Sequence, residues 1–171
     1  QGHPDMKGTP GVDMSTGSLG QGVSAACGIA KELKRKGNPA RVYCMTGDGE
    51  SEEGQVWEAA MFASHYKLDN LTLFLDFNCL QIDGDIRTVL NPTPFDEKYK
   101  AFGWHTIVID GHNFEEIEKA VAEAEQTKGM PTAIICRTIK GKGVSYMENV
   151  ADWHGKAPNE ELYKIAKAEL A

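Results

Sequence analysis

The sequence predicts an α/β fold, a parallel β-sheet with helices on both faces. Two observations carry this: short apolar runs alternate with segments whose apolar residues recur at helical spacing, and one run, Leu71-Thr72-Leu73-Phe74-Leu75, is apolar almost throughout. Alternation of this kind favours a parallel sheet, and an uninterrupted apolar strand is expected where both faces are covered. In such sheets ligands sit at the carboxyl ends of strands, so the loops that follow strands are the places to search.

Residues 17–36 place Leu19, Val23, Cys27, Ala30 and Leu33 at helical spacing and close with Lys34, Arg35, Lys36 and Gly37, which are ordinary stop signals. Arg41-Val42-Tyr43-Cys44-Met45 is a short apolar strand running into Thr46-Gly47-Asp48-Gly49. Residues 52–67 form the next helix, with Val56, Ala59, Ala60, Ala63 and Tyr66 on one face and acids at its start, where the helix dipole favours them. The strand over 71–75 ends in Asp76-Phe77-Asn78. A long connection through Gly84, Pro92 and Pro94 leads to a short helix over 95–102 and a strand over 105–109. Asp110-Gly111-His112-Asn113 then opens a helix to about residue 128, with Ile117, Ala120, Val121 and Ala124 inward and Gly129 and Pro131 after it. A fourth strand over 132–137 follows, then the flexible Lys140-Gly141-Lys142-Gly143, and residues 159–170 form a terminal helix.

A chain of 171 residues, 41% of them hydrophobic, fits one domain spanning residues 1–171. It opens at Gln1-Gly2-His3-Pro4, a loop-like stretch without a methionine, which suggests that an N-terminal part of the domain is missing. Asp and Glu number 25 against 18 Lys and Arg, and the basic residues cluster only at Lys34, Arg35 and Lys36, so no nucleic-acid surface is expected. Cys27, Cys44, Cys79 and Cys136 are far apart and form no metal or redox pair; apolar neighbours suggest buried, reduced thiols of a cytoplasmic protein. No apolar run reaches the roughly 20 residues of a membrane span, and no signal peptide is visible.

Gly47-Asp48-Gly49-Glu50 follows a strand directly, and its glycines allow the backbone to approach a ligand while the carboxylate points from the sheet edge. Alone the pattern is weak, because an Asp in a Gly-flanked turn is usually only a turn. Asn78, thirty positions on, ends the next apolar strand. A carboxylate and a carboxamide on adjacent strand ends offer hard oxygens suited to Mg²⁺ or Ca²⁺, with diphosphate oxygens and water completing the shell. The glycines of Gly17-x-x-Gly20-x-Gly22 are in the wrong order for a dinucleotide fingerprint and do not follow a strand.

Gly47-Asp48-Gly49 followed by Asn78 resembles the thiamine diphosphate motif. Four further stretches narrow the resemblance to transketolase: Thr16-Gly17-Ser18-Leu19-Gly20-Gln21-Gly22, Glu53-Gly54-Gln55-Val56-Trp57-Glu58-Ala59-Ala60, Leu80-Gln81-Ile82-Asp83-Gly84 and Ile139-Lys140-Gly141-Lys142-Gly143. The resemblance covers nearly the whole chain and implies a thiamine diphosphate-binding fold carrying the diphosphate and metal site. It makes Asp48, Asn78 and the backbone carbonyl of Leu80 the metal ligands. Gly49 would offer its N–H to the diphosphate, with Glu50 in the same cofactor loop, and Gly17, Leu19 and Ile82 would line the cofactor rings. His3 and His154 would be catalytic, the first toward a donor-substrate hydroxyl and the second between diphosphate and sugar. His65, His105 and His112 gain no such role and read as helix-face, strand and turn residues. Glu53 and Glu58 would lie at a subunit interface, and Lys140 and Lys142 read as a mobile basic loop.

The activity so implied is transfer of a two-carbon ketol unit from a ketose phosphate to an aldose phosphate, with thiamine diphosphate supplying the carbanion chemistry. The glutamate that activates the aminopyrimidine in this family has no counterpart here. The chain is therefore expected to need a C-terminal transketolase subunit, in a homodimer or heterotetramer. The competing readings are a component of another thiamine enzyme, of deoxyxylulose phosphate synthase or 2-oxo acid dehydrogenase type, and a non-catalytic scaffold of the same fold.

Overall fold

Helix α1 (Gln21–Arg35) forms where Val23, Ala26, Cys27 and Ala30 recur on one buried face, and Lys34 and Arg35 fill its last turn before Gly37 at φ +65°. The structure, a computed structural model, describes residues 2–171; Gln1, with which the sequence is expected to open in a loop, lies outside the described residues. The helix starts later than its spacing suggested. Gly20 is left-handed at φ +78° and caps the helix, so Leu19 stands outside it and is 55% exposed.

Strand β1 (Val42–Gly47) leads through a 3₁₀ turn (Glu50–Glu52) into α2 (Gly54–His65). Val56, Ala59, Ala60 and Ala63 are buried as expected, but Tyr66 lies past the helix end and is exposed. Its ring packs on Phe62 at 4.5 Å between centroids, with the Lys31 ammonium 3.7 Å from its centroid. Strand β2 (Leu71–Phe77) is followed by a hairpin of β3 (Leu80–Gln81) and β4 (Gly84–Asp85), then α3 (Ile86–Val89) and α4 (Phe95–Ala101). Strand β5 (His105–Asp110), α5 (Phe114–Gln126), β6 (Thr132–Arg137) and α6 (Glu160–Glu169) complete the order. The Asn113 side chain caps α5 by accepting the N–H of Glu115 at 3.0 Å, and Asn159 caps α6 through the N–H of Leu162 at 2.9 Å.

The four long strands form one parallel sheet in the order β1-β2-β6-β5. Period-2 alternation sorts its side chains into two layers. Leu71, Leu73 and Leu75 of β2 and Ala133 and Ile135 of β6 face α1, α2 and α4 in the larger core. Ile134 and Cys136 of β6 and Phe74 of β2 face the other way, against Ala120, Ala124 and Ile117 of α5. The small alanines of α1 and α2 let these helices lie close to the sheet. Among the described helices α5 is the one that covers the second face, and Met45 on β1 is 72% exposed.

Two of the four thiols, Cys27 and Cys136, are buried as expected, whereas Cys44 and Cys79 are half-buried. Cys44 sits on the edge strand, and Cys79 occupies a left-handed turn at φ +64° just after β2. No helix among the described residues is long and apolar enough to cross a membrane.

Candidate active site

Register places the ends of β1 and β2 side by side, with Gly47 opposite Asp76. Asp48, the residue after β1, is 1% exposed, and its carboxylate reaches across to the loop after β2. One oxygen accepts the N–H of Gly49 at 2.8 Å and the other that of Cys79 at 2.5 Å. Burial pushes its pKa up to about 6; the backbone N–H groups of Gly49 and Cys79 pull against that, and the nearby Asp76 adds to it. Among the described residues no basic side chain pairs with it. Asn78 lies beside it: its Nδ2 donates to Asp76 Oδ2 at 2.9 Å, and its Oδ1 accepts the N–H of Leu80 at 2.9 Å. Asp48 and Asn78 thus follow the ends of two adjacent strands, each held by its own set of hydrogen bonds.

The loop after β1 is braced on two sides. A Cβ added at Gly49 would lie 2.7 Å from Gln81 Cβ, so only glycine lets the β3–β4 hairpin press on this loop. Gln81 in turn donates to Glu52 at 2.6 Å. On the other side the Glu50 carboxylate accepts the N–H of Gly20 at 2.9 Å and of Gly47 at 3.1 Å, tying the start of α1 to the end of β1. Glu50, expected in the cofactor loop, is a clip between two backbone segments.

His3, Gly17, Leu19 and Glu50 line one cleft of about 660 Å³ between the opening loop, α1 and β1. The His3 ring lies on Gly17, whose φ is +147° and where a Cβ would meet ring carbons at 2.9 Å. His154 follows a 3₁₀ turn (Ala151–Trp153) fixed by Trp153 Nε1 donating to the Tyr146 carbonyl at 2.9 Å. Its Nδ1 is 3.4 Å from Lys140 Nζ. Burial, then the charges of Lys140 and of His3, hold its pKa below the usual imidazole value. The structure therefore sets Lys140 against His154, while His3 lies on Gly17 in the cleft.

Ile82 sits between β3 and β4 and is 67% exposed, and Leu80 is half-buried in β3. Glu53 precedes α2 and lies against Gly20, and Glu58 lies on α2; both are exposed, and Met61 and Phe62, three and four residues after Glu58, share its helix face. Of the remaining histidines, His65 packs edge-on against Tyr66 and His105 contacts Glu123 at 2.7 Å. His112 does more than turn the chain: its Nε2 accepts the N–H of Ile139 at 2.8 Å and braces the loop after β6. Among the described residues no three His, Cys, Asp or Glu side chains are grouped to hold a metal by themselves.

Sequence reasoning missed Asp76 and Thr138, which meet behind Asn78: the Thr138 hydroxyl donates to Asp76 Oδ1. Asp76, two residues before Asn78 at a strand end, was findable; nothing local marks Thr138.

Over residues 1–171 the chain matches the family described as "Transketolase, thiamine diphosphate binding domain". It is 49% identical over 168 residues to the 6-deoxy-6-sulfo-D-fructose transketolase subunit SqwG of Clostridium sp. (strain MSTE9), covering 98% of this chain and 61% of that protein. It is 40% identical to one subunit of the apulose-4-phosphate transketolase of Actinobacillus succinogenes, over 99% of this chain and 61% of that one. The solved transketolase of Campylobacter jejuni superposes with a TM-score of 0.85 at 36% identity, over 93% of this chain and 26% of that one. The chain thus spans about three fifths of these two relatives and about a quarter of that solved transketolase. A parallel sheet with Asp48 and Asn78 at adjacent strand ends, matched along its whole length, makes this chain a member of the transketolase family, in its thiamine diphosphate-binding domain.

Proposed function

We propose that this chain holds the diphosphate and metal side of thiamine diphosphate and works as one half of a transketolase, with the pyrimidine-binding side supplied by a C-terminal partner subunit. The observation that carries the reading is Asp48: a carboxylate 1% exposed, at the carboxyl end of β1, whose hydrogen-bond partners among the described residues are backbone N–H groups, with Asn78 beside it. Its donor set fits a hard cation, Mg²⁺ or Ca²⁺, drawing on Asp48, Asn78 Oδ1 and the Leu80 carbonyl. One protein carboxylate leaves much of such a cation's shell and charge to a bound diphosphate. Gly49, where no side chain fits, gives its loop the close backbone approach that a diphosphate needs.

When bound, thiamine diphosphate would supply the carbanion chemistry of ketol transfer. The chain's own residues would bind and orient. Gly17, Leu19 and Ile82 would offer the ring-facing surface, and the exposure of Leu19 and Ile82 leaves both free to do so. His3 and His154 would hold and pass hydroxyl protons of the sugar, and the burial that lowers the His154 pKa favours the neutral imidazole, the form that can accept one. The substrates would be a ketose phosphate donor and an aldose phosphate acceptor. Two relatives are named for sugars that carry an anionic group, a sulfo-sugar and apulose 4-phosphate, which supports a charged sugar as substrate. Exposed Glu53, and Glu58 with Met61 and Phe62 on its face of α2, support an interface between protomers there in a homodimer or heterotetramer, which would work in the cytoplasm.

Titration of thiamine diphosphate with Mg²⁺ into the chain, with and without a candidate C-terminal partner and with Asp48→Ala as control, tests the reading. Magnesium-dependent binding that strengthens with the partner and is lost in Asp48→Ala is the expected result. No binding in either setting would overturn it. Pyruvate decarboxylation by the assembled complex, in place of ketol transfer, would assign the half-site to a different thiamine enzyme.

A further inference from the structure

Behind Asn78 lies an acid for which neither the expected ligand set nor the expected catalytic set has a use. Asp76 is the penultimate residue of β2 and pairs in register with Cys136 of β6. Its Oδ2 accepts the Asn78 side-chain N–H at 2.9 Å, and its Oδ1 accepts the Thr138 hydroxyl. Thr138 is itself fixed by its backbone N–H donating to the Phe77 carbonyl at 3.1 Å. Among the described residues Asp76 has no ion pair, so its carboxylate is spent on these two donors. It is half-buried, so solvent alone does not account for its charge.

This arrangement bears on a choice that every carboxamide faces. The oxygen and nitrogen of an Asn side chain exchange places on a half-turn, and only the oxygen ligates a cation. Asp76 accepts and cannot donate, so it captures the nitrogen. The Leu80 N–H donates and captures the oxygen from the other side. The oxygen keeps a second lone pair for a ligand, whereas the flipped amide would set N–H against N–H at Leu80 and oxygen against oxygen at Asp76.

We propose that Asp76 is a positioning residue, held by Thr138, that fixes the orientation of the Asn78 amide so that Oδ1 is offered to the metal. The inference rests on the metal-site reading above. Outer partners of metal ligands contribute about 10–100-fold to metal affinity, which sets the expected size. Because Asp76 is anchored on Thr138, the end of β6 becomes part of the site although it supplies no ligand.

The test compares wild type, Asp76→Ala, Asp76→Asn and Thr138→Val for Mg²⁺ affinity in the presence of thiamine diphosphate, using the chain with its partner and Asp48→Ala as reference. Asp76→Ala should weaken Mg²⁺ binding about 10–100-fold. Asp76→Asn should stay within a few-fold of wild type, because its oxygen can still accept from Asn78 while its nitrogen donates to the Thr138 hydroxyl. Thr138→Val should weaken binding in the same direction, by less than Asp76→Ala. The Asn78 side-chain amide protons give a readout independent of cofactor: their NMR signals should be shifted and slow to exchange in wild type and Asp76→Asn, and collapse toward the free-amide position in Asp76→Ala. Wild-type affinity in Asp76→Ala, or Asp76→Asn as weak as Asp76→Ala, would overturn the proposal, the second by showing that charge and not orientation matters. If wild type itself shows no magnesium-dependent binding, the metal-site reading falls and this proposal with it; a normal wild type with an indifferent Asp76→Ala removes this proposal alone.

Discussion

Replacing Glu50 by alanine removes the clip between α1 and β1. Its carboxylate accepts two backbone N–H groups, from Gly20 at 2.9 Å and Gly47 at 3.1 Å, across 30 residues of sequence in the first case. Hydrogen bonds to a charged acceptor contribute about 1.5–3 kcal/mol each. Glu50 is only half-buried, and water can reach part of the exposed surface, so the low end applies and the pair together loses about 2–3 kcal/mol. For a domain of this size that lowers Tm by about 4–12 °C. Glu50→Gln keeps one acceptor but turns an NH₂ toward one of the two N–H groups, so it should fall about midway. Thermal and urea unfolding give the stabilities, and hydrogen exchange at Gly20 and Gly47 reports the local release. If Glu50→Ala unfolds within about 0.5 kcal/mol of the parent, with Gly20 exchange unchanged, Glu50 is a solvated surface acid and clips nothing.

Removing the neighbouring cation in Lys140→Met should raise the pKa of His154, leaving it still below the ordinary imidazole value because burial, the larger cause, remains; ring-proton NMR titration measures it. Burial pushes Cys27 and Cys136 up to about 11 and Cys44 to about 12, while Cys79 is raised as well but lies at a turn beside the site. Iodoacetamide at pH 8 should therefore label Cys79 ahead of the other three, read by mass spectrometry. For these thiols the folded pKa exceeds the unfolded one. The stability they contribute is whole below the ordinary thiol value of 9.0 and is lost as pH climbs through about 11, so unfolding midpoints should fall across that window.

Long, strongly patterned elements were legible in the sequence, and the reason is burial. Strand β6 falls on residues 132–137 as expected, because every residue from Thr132 to Cys136 is buried and nothing else tolerates such a run. The hairpin of β3 and β4 was not legible: two residues on each side carry no period, and their pairing follows from the left-handed Cys79 and from Gly84 at φ +123°. Leu19 and Tyr66 were expected inward because they continue a helical spacing, yet each lies just beyond a helix end that backbone geometry sets. Within the site, Asp48 and Asn78 could be paired because each closes an apolar strand. The meeting of Asp76 with Thr138, 62 positions apart, depends on β6 inserting beside β2, which no local pattern announces. Glu50 was found as a motif member, but its partners could be known only from the folded loop.

The strand order has a bearing on how the chain comes into being. β6 is the last strand of the sheet to leave the ribosome, yet it lies between β2 and β5. Until residue 137 has emerged, β1 and β2 form one piece and β5 another, with no ladder to join them. The nascent chain thus carries the unpaired backbone flank of β2 from residue 77 until β6 arrives at residues 132–137, and long-range parallel pairing of this kind is slow and open to aggregation. Closure then comes in one act. Insertion of β6 joins the two hydrophobic layers and, in the same movement, brings Thr138 to Asp76, so the Asn78 amide acquires its setting only once β6 lies between β2 and β5.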